Sequence, residues 1–139
     1  MEAVAAKANS VTRTLGVAFD GCTMPGAERP LFTVEPGTMD LGLGIHGEPG
    51  VSSHQMPTAA ELAQLLVSGV LAEKPSSARD RVAVILNGLG RTKYEELFVV
   101  WRTVAQLLAA AENDTDAVSV FEDGPGLGEA TRAILVVKI

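Results

Sequence analysis

The chain has 139 residues, of which 47% are hydrophobic, and its formal net charge is −6. This length supports one compact domain with a substantial core, and the acidity disfavours binding to nucleic acid or to anionic membranes, because both select basic surfaces. No apolar run is long enough to span a bilayer, and the single cysteine, Cys22, excludes an internal disulfide, so we expect a soluble cytoplasmic protein.

The first part of the sequence predicts a helix followed by a strand and a β-hairpin. Residues 2–10 are rich in alanine and favour a helix, and residues 14–19 favour a strand. Residues 31–34 and 41–45 are expected to pair as a hairpin about the turn formed by residues 35–37. His46 would then follow the second hairpin strand.

The middle of the sequence predicts a helix and a buried strand. Thr58 and Glu61 have the spacing of a capping box, so a helix should begin near Pro57 or Thr58 and end before Pro75. Its apolar stripe consists of Leu62, Leu65, Leu66 and Val70. Residues 82–86 form a nearly continuous apolar run, which is typical of a central strand covered on both faces.

A second helix and two more strands are predicted towards the end of the chain. Thr92 and Glu95 repeat the capping-box spacing and indicate a helix start. Residues 117–121 and 133–137 favour strands. The helix should bury Leu97, Phe98, Trp101, Val104 and Leu108.

His46 is the main candidate for chemistry, because the sequence places it beside a glycine-dense turn after a strand. An imidazole at this position could act as a nucleophile, a general base or a metal ligand. It could equally be a structural side chain that only forms hydrogen bonds. The only other histidine, His54, lies eight residues later without a metal-binding spacing. Gly42 and Gly44 would lie on the opposite strand face and allow another backbone or a small ligand to approach closely.

Two further segments have both a functional and a structural interpretation. Cys22 would be reactive as a thiolate, but its apolar surroundings favour a small packing residue. The glycine-rich residues 87–92 lie between a strand and a helix, as phosphate-binding loops do, but they lack the complete P-loop and dinucleotide patterns. A tight structural turn is the favoured interpretation.

The stretch Gly-Leu-Gly-Ile-His-Gly-Glu-Pro-Gly, residues 42–50, resembles the substrate-histidine motif of the dihydroxyacetone kinase family. Supporting segments follow the family's order at residues 9–18, 22–26 and 87–97. The resemblance covers most of residues 3–108. It weakens at residues 122–128, where acidic residues and glycines replace the family's Thr-Ser-Leu-x-Met-x-Gly stretch, so the C-terminal edge is expected to differ.

The resemblance implies that a ring nitrogen of His46, the tele nitrogen, adds to the ketone carbon of dihydroxyacetone and holds the substrate as a hemiaminal. Such capture selects carbonyl compounds over glycerol and fixes the hydroxyl that is to be phosphorylated. The imidazole must be neutral for the addition. Gly47 and Glu48 are candidate substrate-binding neighbours, and Glu48 is either an orienting carboxylate or a solvent-facing turn residue.

The resemblance also implies where this chain belongs in a larger assembly. Residues 1–139 correspond to the C-terminal portion of the dihydroxyacetone-binding domain and form a fragment of it. The alternation of predicted strands and helices itself indicates an α/β fold, with a mixed sheet of about five to six strands and two to three helices. Expected partners are the N-terminal substrate subdomain, the nucleotide-binding domain and a second copy of the parent. ATP with Mg²⁺, or a phosphorylated ADP-bearing partner, is expected on a separate domain, with no cofactor in this chain. The alternatives are a non-catalytic carbonyl-binding regulatory module and a purely structural or dimerisation domain.

Overall fold

The computed structural model describes residues 2–44, 48–75, 82–88 and 92–111, and the backbone of residues 134–138. The described part of the chain contains three helices and five strands. In chain order these are α1 (Glu2–Val11), β1 (Thr12–Ala18), β2 (Thr38–Leu41), β3 (Ser52–Gln55), α2 (Ala59–Ala72), β4 (Ala83–Asn87), α3 (Tyr94–Ala110) and β5 (Ile134–Lys138).

The five strands form one mixed sheet in the order β3-β2-β1-β5-β4. Strand β1 is parallel to β5, which is parallel to β4, whereas β2 is antiparallel to both β1 and β3. The parallel half is built by the crossover from β4 through α3 to β5, and the antiparallel half by the β2–β3 hairpin. The connection between β2 and β3 contains His46.

Helices α2 and α3 pack against each other and against the parallel half of the sheet, with α2 on β1 and β5 and α3 on β4. Their apolar stripes supply most of the core, because each helix buries one face and leaves the other in solvent. From α2 these core residues are Leu62, Ala63, Leu66, Val67 and Val70, and from α3 they are Leu97, Val100, Val104 and Leu108. Leu66 and Val104 are fully buried.

The side chain of Arg13 joins the start of β1 to the end of α2. Its Nε donates to the carbonyl oxygen of Glu73, the C-cap of α2, at 2.7 Å, and its Nη1 donates to the carbonyls of Ser10 and Thr12. The guanidinium therefore satisfies a helix-end carbonyl that has no partner within the helix.

Most predicted elements are confirmed, including the capping box that begins α2. Thr58 N–H and Oγ1–H both donate to Glu61 Oε2 at 2.8 Å, and Glu61 N–H donates to Thr58 Oγ1. These bonds from the Thr58 backbone and hydroxyl lower the pKa of the Glu61 carboxyl below its ordinary value of 4.5.

The predicted hairpin of residues 31–34 with residues 41–45 is wrong. The turn itself exists, because Thr38 N–H donates to the Glu35 carbonyl and Gly37 has a φ of 78°. However, Phe32 pairs with Cys22 in an isolated bridge, and β2 pairs with β1 and with the unpredicted strand β3. Strand β2 ends at Leu41 because the next residue, Gly42, has a φ of 73°.

Helix α3 begins one residue later than predicted. Lys93 is the N-cap, and its N–H donates to Glu96 Oε2 at 2.9 Å, so Glu96 rather than Glu95 occupies the third helical position. Phe98 was predicted to be buried but is 56% exposed, because the buried stripe contains Leu97 and Val100 instead. Trp101 is half-buried and packs against the core.

The α/β class is confirmed, but the strands at the predicted positions are fewer than expected. Residues 31–34 are not a sheet strand, and the predicted strand at residues 117–121 lies outside the described residues. The predicted strand at residues 133–137 corresponds to β5. Among the described helices, none has the length and apolarity needed to cross a membrane.

Candidate active site

The connection between β2 and β3, residues 42–51, is fixed to the sheet at its base. Gly42 N–H donates to the Gly16 carbonyl of β1 at 2.7 Å, and Val51 N–H donates to the Leu41 carbonyl at 2.7 Å. Gly42 therefore continues the ladder between β1 and β2, and Val51 continues the ladder between β2 and β3. We call residues 42–51 the His46 loop.

The base of the His46 loop favours glycine because little space is left for a side chain at Gly42 and Gly50. A Cβ on Gly42 would lie 2.7 Å from Val51 Cγ2, and its φ of 73° favours glycine. A Cβ on Gly50 would lie 3.1 Å from the Leu41 carbonyl oxygen. The hydrogen bonds therefore hold the two ends of the loop together, and the glycines leave the space that this close approach needs.

Gly44 and Glu48 meet farther along the same loop. Gly44 N–H donates to the Glu48 carbonyl at 3.2 Å. The Glu48 side chain also folds back over Gly44, so that a Cβ on Gly44 would collide with Glu48 Oε2 and lie 2.9 Å from Glu48 Cβ. We call this pair of interactions the Gly44–Glu48 contact. It joins the two residues that flank the segment 45–47.

The predicted site residues have different outcomes. His46 and Gly47 lie outside the described residues, so their predicted roles stay predictions. Glu48 is described: it is exposed, as a solvent-facing turn residue would be, and its side chain also contacts Gly44. Its predicted orienting role stays a prediction. Gly42 and Gly44 do not lie on a strand face as predicted, and the atoms that approach them most closely are the side chains of Val51 and Glu48 rather than another backbone.

His54 lies on β3 and is half-buried. Its Nε2 is 2.7 Å from Ser52 Oγ, two residues earlier on the same strand face. Within the described residues, no group of three or more His, Cys, Asp and Glu side chains is placed to hold a metal ion. The described geometry thus gives His54 a side-chain hydrogen bond and no metal-binding neighbours.

Gly88, at the start of the glycine-rich segment 87–92, supports the structural interpretation of that segment. A Cβ on Gly88 would lie 3.0 Å from Leu97 Cδ1 and 3.2 Å from the Thr92 carbonyl oxygen. The glycine therefore allows the end of β4 to pack closely against α3. Residues 89–91 lie outside the described part of the chain.

Cys22 is half-buried rather than buried. Its N–H donates to the Phe32 carbonyl at 3.2 Å, and its carbonyl accepts from Leu31 N–H at 2.7 Å. The described role of Cys22 is therefore to hold the two ends of the β1–β2 connection together through its backbone.

A groove that the sequence did not predict lies between the first turns of α2 and α3. Its volume is about 510 Å³, and its lining combines apolar side chains with two carboxylates: Phe19, Asp20, Ala59, Leu62, Thr92, Glu96, Val99 and Val100. The groove begins beyond the end of β1, whereas the His46 loop is bonded to Gly16 within that strand. The two features therefore approach different parts of β1.

The fold is an α/β domain in which a glycine-rich connection between antiparallel strands carries the candidate histidine. Residues 1–122 match the Dak1 domain family, so the chain belongs to this family. The resemblance seen in the sequence is thereby confirmed.

Several curated relatives are similar over about three quarters of the chain. The chain is 70% identical over 105 residues to the D-erythrulose kinase of Mycolicibacterium smegmatis and 60% identical over 109 residues to the L-erythrulose kinase of Pectobacterium atrosepticum, covering 76% of this chain in each case. It spans only 18% of the length of either relative. It is also 32% identical over its whole length to a dihydroxyacetone-binding subunit, DhaK, of a phosphotransferase-system-dependent kinase from Listeria innocua, and spans 42% of that subunit.

Solved structures confirm the fold. The dihydroxyacetone kinase of C. freundii, in complex with AMP-PNP and Mg²⁺, superimposes with a TM-score of 0.61 at 33% identity, and the match covers 76% of this chain and 20% of that one. The dihydroxyacetone kinase operon co-activator Dha-DhaQ superimposes with a TM-score of 0.58 at 25% identity, covering 76% and 33%. The same fold thus occurs in a kinase and in a protein named as a co-activator.

Proposed function

We propose that this chain is the histidine-bearing part of the substrate-binding domain of a ketose kinase, and that His46 captures the substrate ketone as a hemiaminal. The observation that carries the proposal is the motif at residues 42–50, which lies on a connection fixed to the sheet at its base in a member of the Dak1 family. The names of the 70% and 60% identical relatives favour the four-carbon ketose erythrulose over the dihydroxyacetone that the sequence resemblance implied.

The chemistry follows from the properties of imidazole. A neutral ring nitrogen adds its lone pair to the ketone carbon, the carbonyl oxygen takes up a proton to become a hydroxyl, and the ring loses its N–H proton, so the adduct remains neutral. Polyols without a carbonyl cannot form this bond, which makes the histidine a selective anchor. The anchor also fixes the orientation of the hydroxyl that accepts the phosphoryl group.

The phosphoryl donor is assigned to another part of the assembly. Within the described residues, Gly88 packs against Leu97, and no group of three or more His, Cys, Asp and Glu side chains is placed to hold a metal ion. We therefore derive no phosphoryl-transfer step from this chain. The proposed partners are the remaining substrate subdomain, a nucleotide-bearing domain or subunit, and a second copy of the parent in a dimer.

Carbon-13 NMR of erythrulose and dihydroxyacetone, each labelled at the ketone carbon, tests the capture directly. The intact gene product should give a broad bound tetrahedral-carbon signal that differs from the free ketone and its hydrate. His46→Ala should abolish this signal, whereas the matched variant His54→Ala should retain it. A signal that survives His46→Ala, or no signal from the intact wild-type protein with either ketose, would contradict the proposal.

A second candidate is a regulatory module that binds a carbonyl compound without phosphorylating it. The fold match to a protein named as an operon co-activator favours this candidate. An assay for phosphorylated ketose with the intact gene product, supplied with ATP and Mg²⁺ or with a phosphorylated donor protein, separates the two. Capture together with turnover supports the kinase, and capture without turnover under either condition supports the regulatory module.

A further inference from the structure

The solvent side of helix α3 carries two large apolar side chains at its centre. Phe98 is 56% exposed and Val99 is 60% exposed, although a helix that packs on a sheet ordinarily presents polar side chains to water. Along the helix they are flanked by Glu95 and Arg102, which are also exposed. We call these four residues the α3 outer face. Adjacent exposed apolar side chains with a charged rim are typical of a surface that another protein covers.

The four residues lie together because of the period of the helix. At 3.6 residues per turn, they fall within an arc of about 100° around the helix axis. The buried residues of α3 lie on the opposite side of this axis. The helix therefore contacts α2 and β4 through its other side, and the α3 outer face stays exposed.

The order of the charges along the helix indicates which partner fits this face. Glu95 and Arg102 stand three residues before Phe98 and three residues after Val99, so they are equally far from the midpoint of the apolar pair. If two copies of α3 lie antiparallel about a two-fold axis at that midpoint, each Glu95 faces the Arg102 of the other copy. Within one helix these two residues are about 10 Å apart along the axis, so they do not neutralise each other there.

We infer that the α3 outer face is a self-association surface and that its partner is the same face of a second copy. The apolar side chains of both copies meet at the centre, and the two ion pairs fix the antiparallel orientation. This assigns a surface to the dimer proposed above. The inference does not depend on ketone capture, because no residue of the His46 loop takes part.

The affinity of this contact should be modest. A single helix face is smaller than the roughly 800 Å² that each partner contributes to a standard interface. We therefore expect a dissociation constant in the micromolar range, which sedimentation velocity of the intact gene product at several protein concentrations can measure.

Charge reversal and charge exchange test the pairing. Glu95→Arg and Arg102→Glu each bring like charges together at both ends of the antiparallel pair, so each should raise the dissociation constant by about tenfold or more. The double variant Glu95→Arg/Arg102→Glu restores two pairs of opposite charge and should recover wild-type association. An equimolar mixture of the two single variants should also associate, because one then carries two arginines and the other two glutamates at these positions.

Matched controls separate this face from the rest of the surface. Glu28→Arg makes the same change of charge at an exposed glutamate between β1 and β2, and should leave association unchanged. Val99→Ser removes part of the apolar centre and should weaken association. Val4→Ser removes a valine of α1 that is 72% exposed and should have no effect.

An absence of wild-type association up to about 1 mM, or an unchanged dissociation constant in both single charge variants, would overturn the inference. Losses in the single variants that the double variant does not recover would also overturn it, since the face would then bind a surface other than itself. None of these results bears on capture by His46, which the carbon-13 NMR experiment decides separately.

Discussion

The substitution Gly42→Ala tests whether the base of the His46 loop has the described geometry. Gly42 has a φ of 73°, and an added Cβ would lie 2.7 Å from Val51 Cγ2. For an L-residue, the left-handed conformation costs roughly 1–2 kcal/mol. Val51 is 80% exposed, so its side chain can turn away at a rotamer cost of about 0.5–1.5 kcal/mol.

The two costs together predict that Gly42→Ala lowers the free energy of unfolding by about 2 kcal/mol. With an m-value of about 2 kcal/mol per molar, this corresponds to a decrease of about 1 M in the urea midpoint. The fluorescence of Trp101 reports the transition, because it is the single tryptophan and packs against the core.

Gly26 provides the matched control. Its φ is 80°, but a Cβ there would meet nothing within 4 Å, so Gly26→Ala carries only the conformational cost. Gly42→Ala should therefore be more destabilising than Gly26→Ala, and Val51→Ala in the Gly42→Ala background should recover the difference. Equal effects of the two glycine substitutions would refute the close approach of Gly42 to Val51, and no effect of either would refute the left-handed conformations.

Three other predictions concern the core and the helix termini. Leu66→Ala should destabilise the protein by about 2–5 kcal/mol in urea denaturation, because Leu66 is fully buried in the core. The control Gln64→Ala, on the exposed face of α2, should change stability by less than about 0.5 kcal/mol. Thr58→Ala should lower the free energy of unfolding by about 1 kcal/mol, because the N-cap of α2 is lost. If this decrease is no greater than that caused by Ser68→Ala on the exposed face of α2, the capping interaction does not stabilise the protein. Because the pKa of Glu61 is lowered in the folded protein, the wild type should be more stable than Glu61→Gln at neutral pH. This difference in stability should disappear as the pH falls through the lowered pKa. A difference that persists in acid would show that the charge of Glu61 is not its source.

The helices were predicted well because their signals are local. Thr58 and Glu61 lie within one turn, and their capping bonds form as the spacing predicts. The same pattern misplaced the start of α3 by one residue, since two adjacent glutamates, Glu95 and Glu96, both offer a carboxylate. Only the burial of Leu97 and Val100 decides between them, and burial depends on the rest of the fold.

The antiparallel half of the sheet was predicted poorly because its pairing is not local. Residues 52–55 are polar and carry no alternating apolar signal, yet they form the edge strand β3, where one side has no strand neighbour in the described sheet. The alternation at residues 41–45 indicated a strand, but the buried residue on β2 is Met39, and the strand stops at Leu41. The alternation of apolar residues cannot show where a strand ends when a glycine follows the strand.

The glycines of the His46 loop explain why the sequence could single out a candidate site but could not give the geometry around it. Gly42 is matched to Val51, Gly44 to Glu48 and Gly50 to Leu41, so each glycine accommodates a residue on the other side of the loop. Such requirements are invisible to a local pattern, which treats each glycine as a turn or a small strand residue. They also mean that the shape of the loop depends on Val51 and Leu41 as much as on the motif at residues 42–50. A substitution at Val51, one residue outside that motif, therefore belongs in any experiment on how His46 is presented.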